Sequence, residues 1–231
     1  MKNLVVLGCS HSSWRTHNRV WPIQLAERYS NINVLNYSLP GHGHYYMDLC
    51  LKHLMYENKM DIDWIIVQFT GIRRFTIPVF CAEPEEMWKH VLPDDANVPN
   101  NYNELALTTS RRLRIQPLNS NEFEDIGTIS SNASHGKMPT EGVYSEPEYF
   151  TELFKKQIID MAKYLPISCF TMWNIANLDN IGMKETFYNY MKRTYGSLDE
   201  YFDETQHFNG NANTILLDKL ESLPLFNQHL H

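Results

Sequence analysis

Leu4-Val5-Val6-Leu7-Gly8-Cys9-Ser10-His11-Ser12 is the stretch whose reading decides the fold: four apolar residues stop at a glycine and give way at once to thiol, hydroxyl and imidazole side chains. An unbroken apolar run marks a parallel strand buried on both faces, because neither face is left for water. In open α/β sheets ligands bind outside the carboxyl ends of the strands, so Ser10 stands where chemistry is expected.

Outward from this strand, residues 20–29 carry Trp21, Ile23, Leu25, Ala26 and Tyr29 in a helical pattern, with Pro22 tolerated in its first turn. Residues 32–36 form a second short strand. It runs into Tyr37-Ser38-Leu39-Pro40-Gly41-His42-Gly43-His44, a loop whose glycines let backbone amides approach a ligand closely. A helical pattern over 46–55 then precedes Trp64-Ile65-Ile66-Val67-Gln68-Phe69, a third buried strand. Strand and helix in alternation imply right-handed crossovers and a mostly parallel sheet, so the fold class is α/β.

Residues 76–147 break this rhythm with Pro, Asn, Ser and acidic side chains, and with helical hints at 85–91 and 102–113. The stretch is too long for an ordinary connection and reads as an inserted lid or partner-binding region, within a single domain over 1–231. Regular spacing resumes in a helix over 148–165, with Phe150, Leu153, Phe154, Ile158 and Met161 on its inner face. A fourth strand over 167–173, a helix over 184–195 and a closing helix over 211–223 follow, and His229-Leu230-His231 reads as an exposed tail.

The net charge of -7 provides no electrostatic footprint for nucleic acid, since Arg111, Arg112 and Arg114 form the only tight basic cluster. No run approaches the roughly 18 to 20 apolar residues of a membrane span, and the run after Lys2 is too short for a signal peptide. With four cysteines and no C-x-x-C pair, the chain is expected to be cytoplasmic and reduced. His11, His42 and His44 are the nearest approach to a metal-ligand set. Loop histidines of this kind are more often hydrogen-bonded surface groups, so neither a metal nor another cofactor is expected.

Serine becomes a nucleophile when a base takes its proton, and the base works best when a third group orients it. Ser10 follows the first strand, His207 lies in the last loop, and Asp203 or Glu204 precedes that histidine by four or three residues. One loop can therefore deliver base and orienting acid to the rim that bears Ser10.

These blocks resemble the SGNH/GDSL hydrolase family. The resemblance rests on Gly8-Cys9-Ser10-His11-Ser12, on Asn36-Tyr37-Ser38-Leu39-Pro40-Gly41, and on Asp203 through His207 with Asn209. Together with Trp21-Pro22 and Gln68-Phe69-Thr70, they look like an SGNH-like group common in tailed bacteriophages. The resemblance implies a flavodoxin-like three-layer α/β/α sandwich that hydrolyses an ester or acyl group on a small molecule or a glycan. It casts Ser10 as nucleophile, His207 as general base, and the Ser10 and Gly41 amides as oxyanion donors. The chain departs from the family in three places. In the last block Asp203 lies four residues before His207, while Glu204 holds the family's three-residue spacing. Cys9 stands where the family has Asp, and the third-block Asn is missing near Gly71-Ile72. Thr70, Arg73 or Arg74 would supply the absent donor, with the two arginines and His11 as substrate contacts. The alternative is a binding or structural component on the same scaffold, for example in a phage particle, with the 76–147 region as contact surface.

Overall fold

A computed structural model describes residues 1–14, 19–40, 43–56, 61–70, 74–77, 88–90, 92, 96–107, 115–117, 128–132, 147–173, 178, 181–204 and 207–230. In chain order the elements are β1 (Lys2–Leu7), α1 (Trp21–Arg28), β2 (Ile32–Asn36), α2 (His44–Tyr56), β3 (Trp64–Phe69), β4 (Arg74–Ile77), β5 (Trp88–His90) and β6 (Tyr102–Leu107). They continue with β7 (Ile115–Pro117), β8 (Thr128–Asn132), α3 (Pro147–Met161), β9 (Ile167–Thr171), α4 (Phe187–Tyr195), α5 (Gly210–Glu221) and α6 (Pro224–Leu230).

The apolar run of β1 occupies the middle of the main sheet, whose order is β5-β6-β2-β1-β3-β9. It pairs in parallel with β2, from Lys2↔Ile32 to Val6↔Asn36, and with β3, from Leu4↔Trp64 to Leu7↔Val67. β9 extends the parallel sheet beyond β3, and β6 extends it beyond β2; only β5 runs antiparallel. Alternate side chains go to opposite faces. Leu4 and Val6 join Val34, Ile66, Phe170, Leu216 and Leu217 in one core cluster. Val5 and Leu7 join Leu35, Val67, Met47, Leu51, Phe154 and Ile158 in the other. Helices α1, α4, α5 and α6 thus cover one face and α2 and α3 the other, giving the three layers of a flavodoxin-like sandwich.

The chain moves from β1 to β2 on one side, then crosses to β3 on the other. That reversal is a topological switch point, and it puts the residues after β1 and β3 on either side of one crevice.

The 102–113 helical hint is corrected. Its first six residues, 102–107, are β6, a strand of the main sheet, and the described part of the 85–91 hint is β5. Local helix propensity yielded there to edge pairing with β2, where Asn36 lies opposite Glu104. The 76–147 stretch therefore contributes two strands to the main sheet as well as a separate sheet ordered β4-β8-β7. In α3, Thr151, Phe154 and Ile158 face the core, whereas Leu153 is half exposed because it lies one position, about 100° of helix, away from Phe154. Phe150 is outside the residues whose side chains are described.

His229 and Leu230 are not an exposed tail, and His231 lies outside the described residues. Leu230 is buried, the His229 carbonyl accepts from Lys2 Nζ at 3.0 Å, and the His229 ring stacks on Trp64 at 5.0 Å between centroids. Burial, and after it the Lys2 ammonium, holds the His229 imidazole below its ordinary range. The unfolded chain therefore binds the extra proton first as pH falls, and stability present above about pH 6.5 is lost on the way down to the folded value. Thermal unfolding followed by circular dichroism at about pH 7.5 and about pH 5.5 is expected to show a smaller drop in midpoint for His229→Gln than for the wild type. An equal drop would mean that His229 carries none of the acid sensitivity.

Candidate active site

The turn after β1 is closed by Ser12 N donating to the Cys9 carbonyl at 2.9 Å. Gly8 makes this turn possible, since a Cβ there would stand 2.8 Å from Gln68 Oε1 and 2.9 Å from both Ser12 Oγ and Ser38 Oγ. The Gln68 and Ser12 atoms belong to a buried polar clamp. Ser12 Oγ donates to Gln68 Oε1 and accepts from Trp21 Nε1 at 2.8 Å, while Gln68 Nε2 donates to Cys9 Sγ at 3.3 Å. Cys9 is thus a buried structural thiol of the turn.

Beyond the turn the chain is held by Glu104, which has no exposed surface. Its carboxyl group accepts from Ser13 Oγ at 2.6 Å, the Trp14 amide at 2.8 Å, the Tyr102 hydroxyl at 2.6 Å and Asn36 Nδ2 at 3.4 Å. Burial, and next the neighbouring Glu104 charge, pushes the Tyr102 phenol well above its ordinary value, so its hydroxyl stays a donor. Asn36 also donates to the Ser12 carbonyl at 2.6 Å and accepts from the Ser38 amide at 3.0 Å, tying the loops after β1 and β2 together.

The loop bearing His207 is closed on itself. Asp203 N donates to the His207 carbonyl at 2.8 Å, and the His207 amide donates to Asp203 Oδ1 at 3.0 Å. A backbone bridge joins Phe202 to Phe208, and their rings stack at 4.7 Å. Asn209 caps α5 by accepting from the Asn211 and Ala212 amides. Buried Asn213 donates to the carbonyls of Phe208 and Asn209 and accepts from the Trp21 amide at 3.1 Å. The loop is thereby fixed to the start of α1, and through it to the Ser12 clamp.

His207 and the Ser10 turn meet through His11, whose ring lies 4.9 Å from that of His207 and accepts from Trp173 Nε1 at 3.3 Å. Three buried hydroxyls at the carboxyl ends of β1, β2 and β3 have no hydrogen-bond partner among the described residues: Ser10, Ser38 and Thr70. An unfilled buried hydroxyl costs roughly 1–3 kcal/mol, so three at the ends of neighbouring strands single out this rim as the candidate site.

The structure thus packs His11 against His207, whose amide bonds to Asp203, and leaves Ser10 one residue before His11 with Thr70 at the carboxyl end of β3. The acid at Asp203 bonds to the His207 backbone, and Glu204 is exposed. Gly41 and Arg73 lie outside the described residues, as does His42 of the metal-ligand alternative; Arg74 opens β4 opposite Asn132. His44 sits between Phe69 and Phe154 and shares a hydrogen bond with Thr151. Among the described residues there is no group of three or more His, Cys, Asp or Glu arranged to hold a metal ion. Nor is any of their helices long and apolar enough to cross a membrane. Ser38, Gln68, Glu104, Trp173 and Asn213 are the site-building residues that sequence reasoning missed. No family model matches the chain, and neither does any curated protein.

Two substitutions probe this scaffold. Glu104→Ala strands the buried donors of Ser13, Tyr102 and Trp14, and denaturant unfolding is expected to show a loss of about 3 kcal/mol or more. A loss under about 1 kcal/mol would mean that the loop is held by other contacts. Gly8→Ala forces a methyl group against Gln68, Ser12 and Ser38. Its expected signature is a destabilised fold with Cys9 newly open to thiol reagents, and a Cys9 that stays protected would show that the clamp tolerates the side chain.

Proposed function

We propose that this chain is a serine hydrolase of the SGNH type that cleaves an ester or acyl group from a small molecule or a glycan. The observation that carries the reading is the Ser10 hydroxyl, buried and without a hydrogen-bond partner among the described residues, on a turn clamped on both sides at the switch point of a parallel sheet. A hydroxyl held in place and committed to no neighbour is open to a base and a substrate, and it becomes a nucleophile once the base takes its proton. Catalysis runs by Ser10 Oγ attacking the acyl carbonyl while its proton passes to His207. The carbonyl oxygen, now an oxyanion, takes hydrogen bonds from the Ser10 and Gly41 amides and from the Thr70 hydroxyl, in the role that the family gives to Asn. Collapse expels the alkoxide, which takes the proton from His207, and water then hydrolyses the acyl-enzyme by the same sequence in reverse.

Asp203 serves as the acid of the arrangement by fixing the His207 backbone. Arg73 and Arg74 serve the substrate side in this reading, where their guanidinium groups suit an anionic substituent, while the expected substrate contact His11 is buried between Trp173 and His207. The net charge of -7 and the spacing of the cysteines fit a cytoplasmic enzyme without a nucleic-acid partner, with virion association as an alternative placement.

Turnover of p-nitrophenyl acetate and labelling by a fluorophosphonate test the reading together. Ser10→Ala is expected to abolish both, and His207→Ala to lower kcat by roughly a thousandfold or more. Labelling that persists in Ser10→Ala would assign the nucleophile elsewhere. Glycan or virion binding that survives both substitutions in a chain without turnover would favour the binding-component alternative.

A further inference from the structure

His11, the residue after Ser10, lies beside His207, and the surroundings of the two rings differ. Trp173 Nε1 donates to His11 Nε2 at 3.3 Å. An indole N–H can only donate, so the His11 nitrogen facing it presents a lone pair and carries no proton. That lone pair is engaged and cannot take the proton of Ser10. Trp173 is itself stacked, at 11° in each case, on Phe208 at 5.7 Å and on Phe202 at 6.3 Å. Phe202 and Phe208 are the two bridged ends of the His207 loop. One aromatic stack thus grips both ends of that loop and, through the indole N–H, the residue after Ser10. His11 completes the circuit: its buried ring packs 4.9 Å from His207 and 5.7 Å from Phe208.

From this geometry we propose that His11 is a positioning residue for the His207 imidazole, locked in place by Trp173. The proposal rests on the reading of Ser10 as nucleophile and His207 as base, and divides the orienting role between two groups. Asp203 fixes the backbone of the loop through the His207 amide, and His11 fixes the attitude of the ring. A base whose ring is free to turn spends part of its time out of reach of the serine proton, so the seat acts on turnover and not on substrate affinity.

Three variants of the full chain separate the parts. His11→Phe keeps a flat ring and removes the acceptor; Trp173→Phe keeps the stack and removes the donor; His11→Gln restores an acceptor. The readouts are kcat and KM on p-nitrophenyl acetate and the proton and nitrogen resonances of the His207 ring by NMR, with folding checked by circular dichroism. His11→Phe and Trp173→Phe are each expected to lower kcat about tenfold with KM within about twofold. The double variant should fall no further than the lower single one, since both cut the same contact, and His11→Gln should recover most of the loss. In both Phe variants the His207 resonances shift. Unmoved His207 resonances in a folded Trp173→Phe protein overturn the seat whatever the turnover, as does an unchanged kcat in folded His11→Phe. A wild-type chain with neither turnover nor Ser10 labelling instead overturns the reading of Ser10 and, with it, the base role of His207.

Discussion

Glu104 brings a carboxyl group with no exposed surface to the carboxyl-end side of the sheet, and such a group is tolerable only where donors fill its lone pairs. Meeting that demand draws in Ser13 and Trp14 from the segment after β1, Asn36 from the end of β2 and Tyr102 from its own strand. Asn36 passes the constraint on, because the same side chain that reaches Glu104 also holds the Ser12 carbonyl and the Ser38 amide. One buried acid therefore sets the path of the chain beyond Ser10 and its distance from the loop after β2. On the other side Gln68 does the same from β3, reaching Ser12 and Cys9 across the space that Gly8 leaves open. The turn is clamped from both neighbouring strands before any substrate arrives.

Within that clamp three serines of one short segment meet three fates. Ser12 bonds to Gln68 and Trp21, Ser13 bonds to Glu104, and Ser10 bonds to nothing described. The surrounding network excludes carelessness as the reason, since it satisfies every neighbouring hydroxyl of the turn. Leaving Ser10, Ser38 and Thr70 unfilled opposes folding by an amount that the cores on both faces of the sheet offset. Sites that bind and react commonly carry such a local deficit, because groups already committed to one another have nothing left to offer a ligand.

Much of this was legible in the residues. Runs such as Val5-Val6-Leu7 and Ile65-Ile66-Val67 admit no amphipathic reading, so the central parallel strands and their carboxyl ends followed, and with them Ser10 and Thr70. The strand Tyr102–Leu107 was not legible, because it lies outside the apolar central strands and mixes Asn103 and Glu104 with leucines in a pattern that also suits a helix. What decides between the two is pairing with β2, remote in the chain, and no local signal carries it. The same distance hid the supporting residues of the site. Glu104 meets Ser13 across 91 positions and Trp173 meets His11 across 162, so each looks locally like an ordinary strand or core residue. Asp203 was legible as an acid near His207; that it bonds to the backbone amide was not, since spacing alone does not say which atom of a histidine a carboxylate will reach.

The last loop shows how His207, remote in the chain from Ser10, is held against His11. Phe202 and Phe208 are bridged and stacked, which ties the two ends of the loop together. The loop is fastened at its exit by Asn209, as the cap of α5, and by Asn213, whose amide nitrogen holds the loop while its oxygen takes the Trp21 amide. Trp21 in turn donates its indole N–H to Ser12. The route from the Ser10 turn to the His207 loop thus runs through the seam between α1 and α5, which Gln24 with Thr214 and Arg28 with Asp218 and Glu221 also join. His11 and Trp173 supply a second route on the opposite side of the loop. Two attachments therefore hold the described ends of the loop, and a base held in orientation as well as position is what the proposed role of His207 requires.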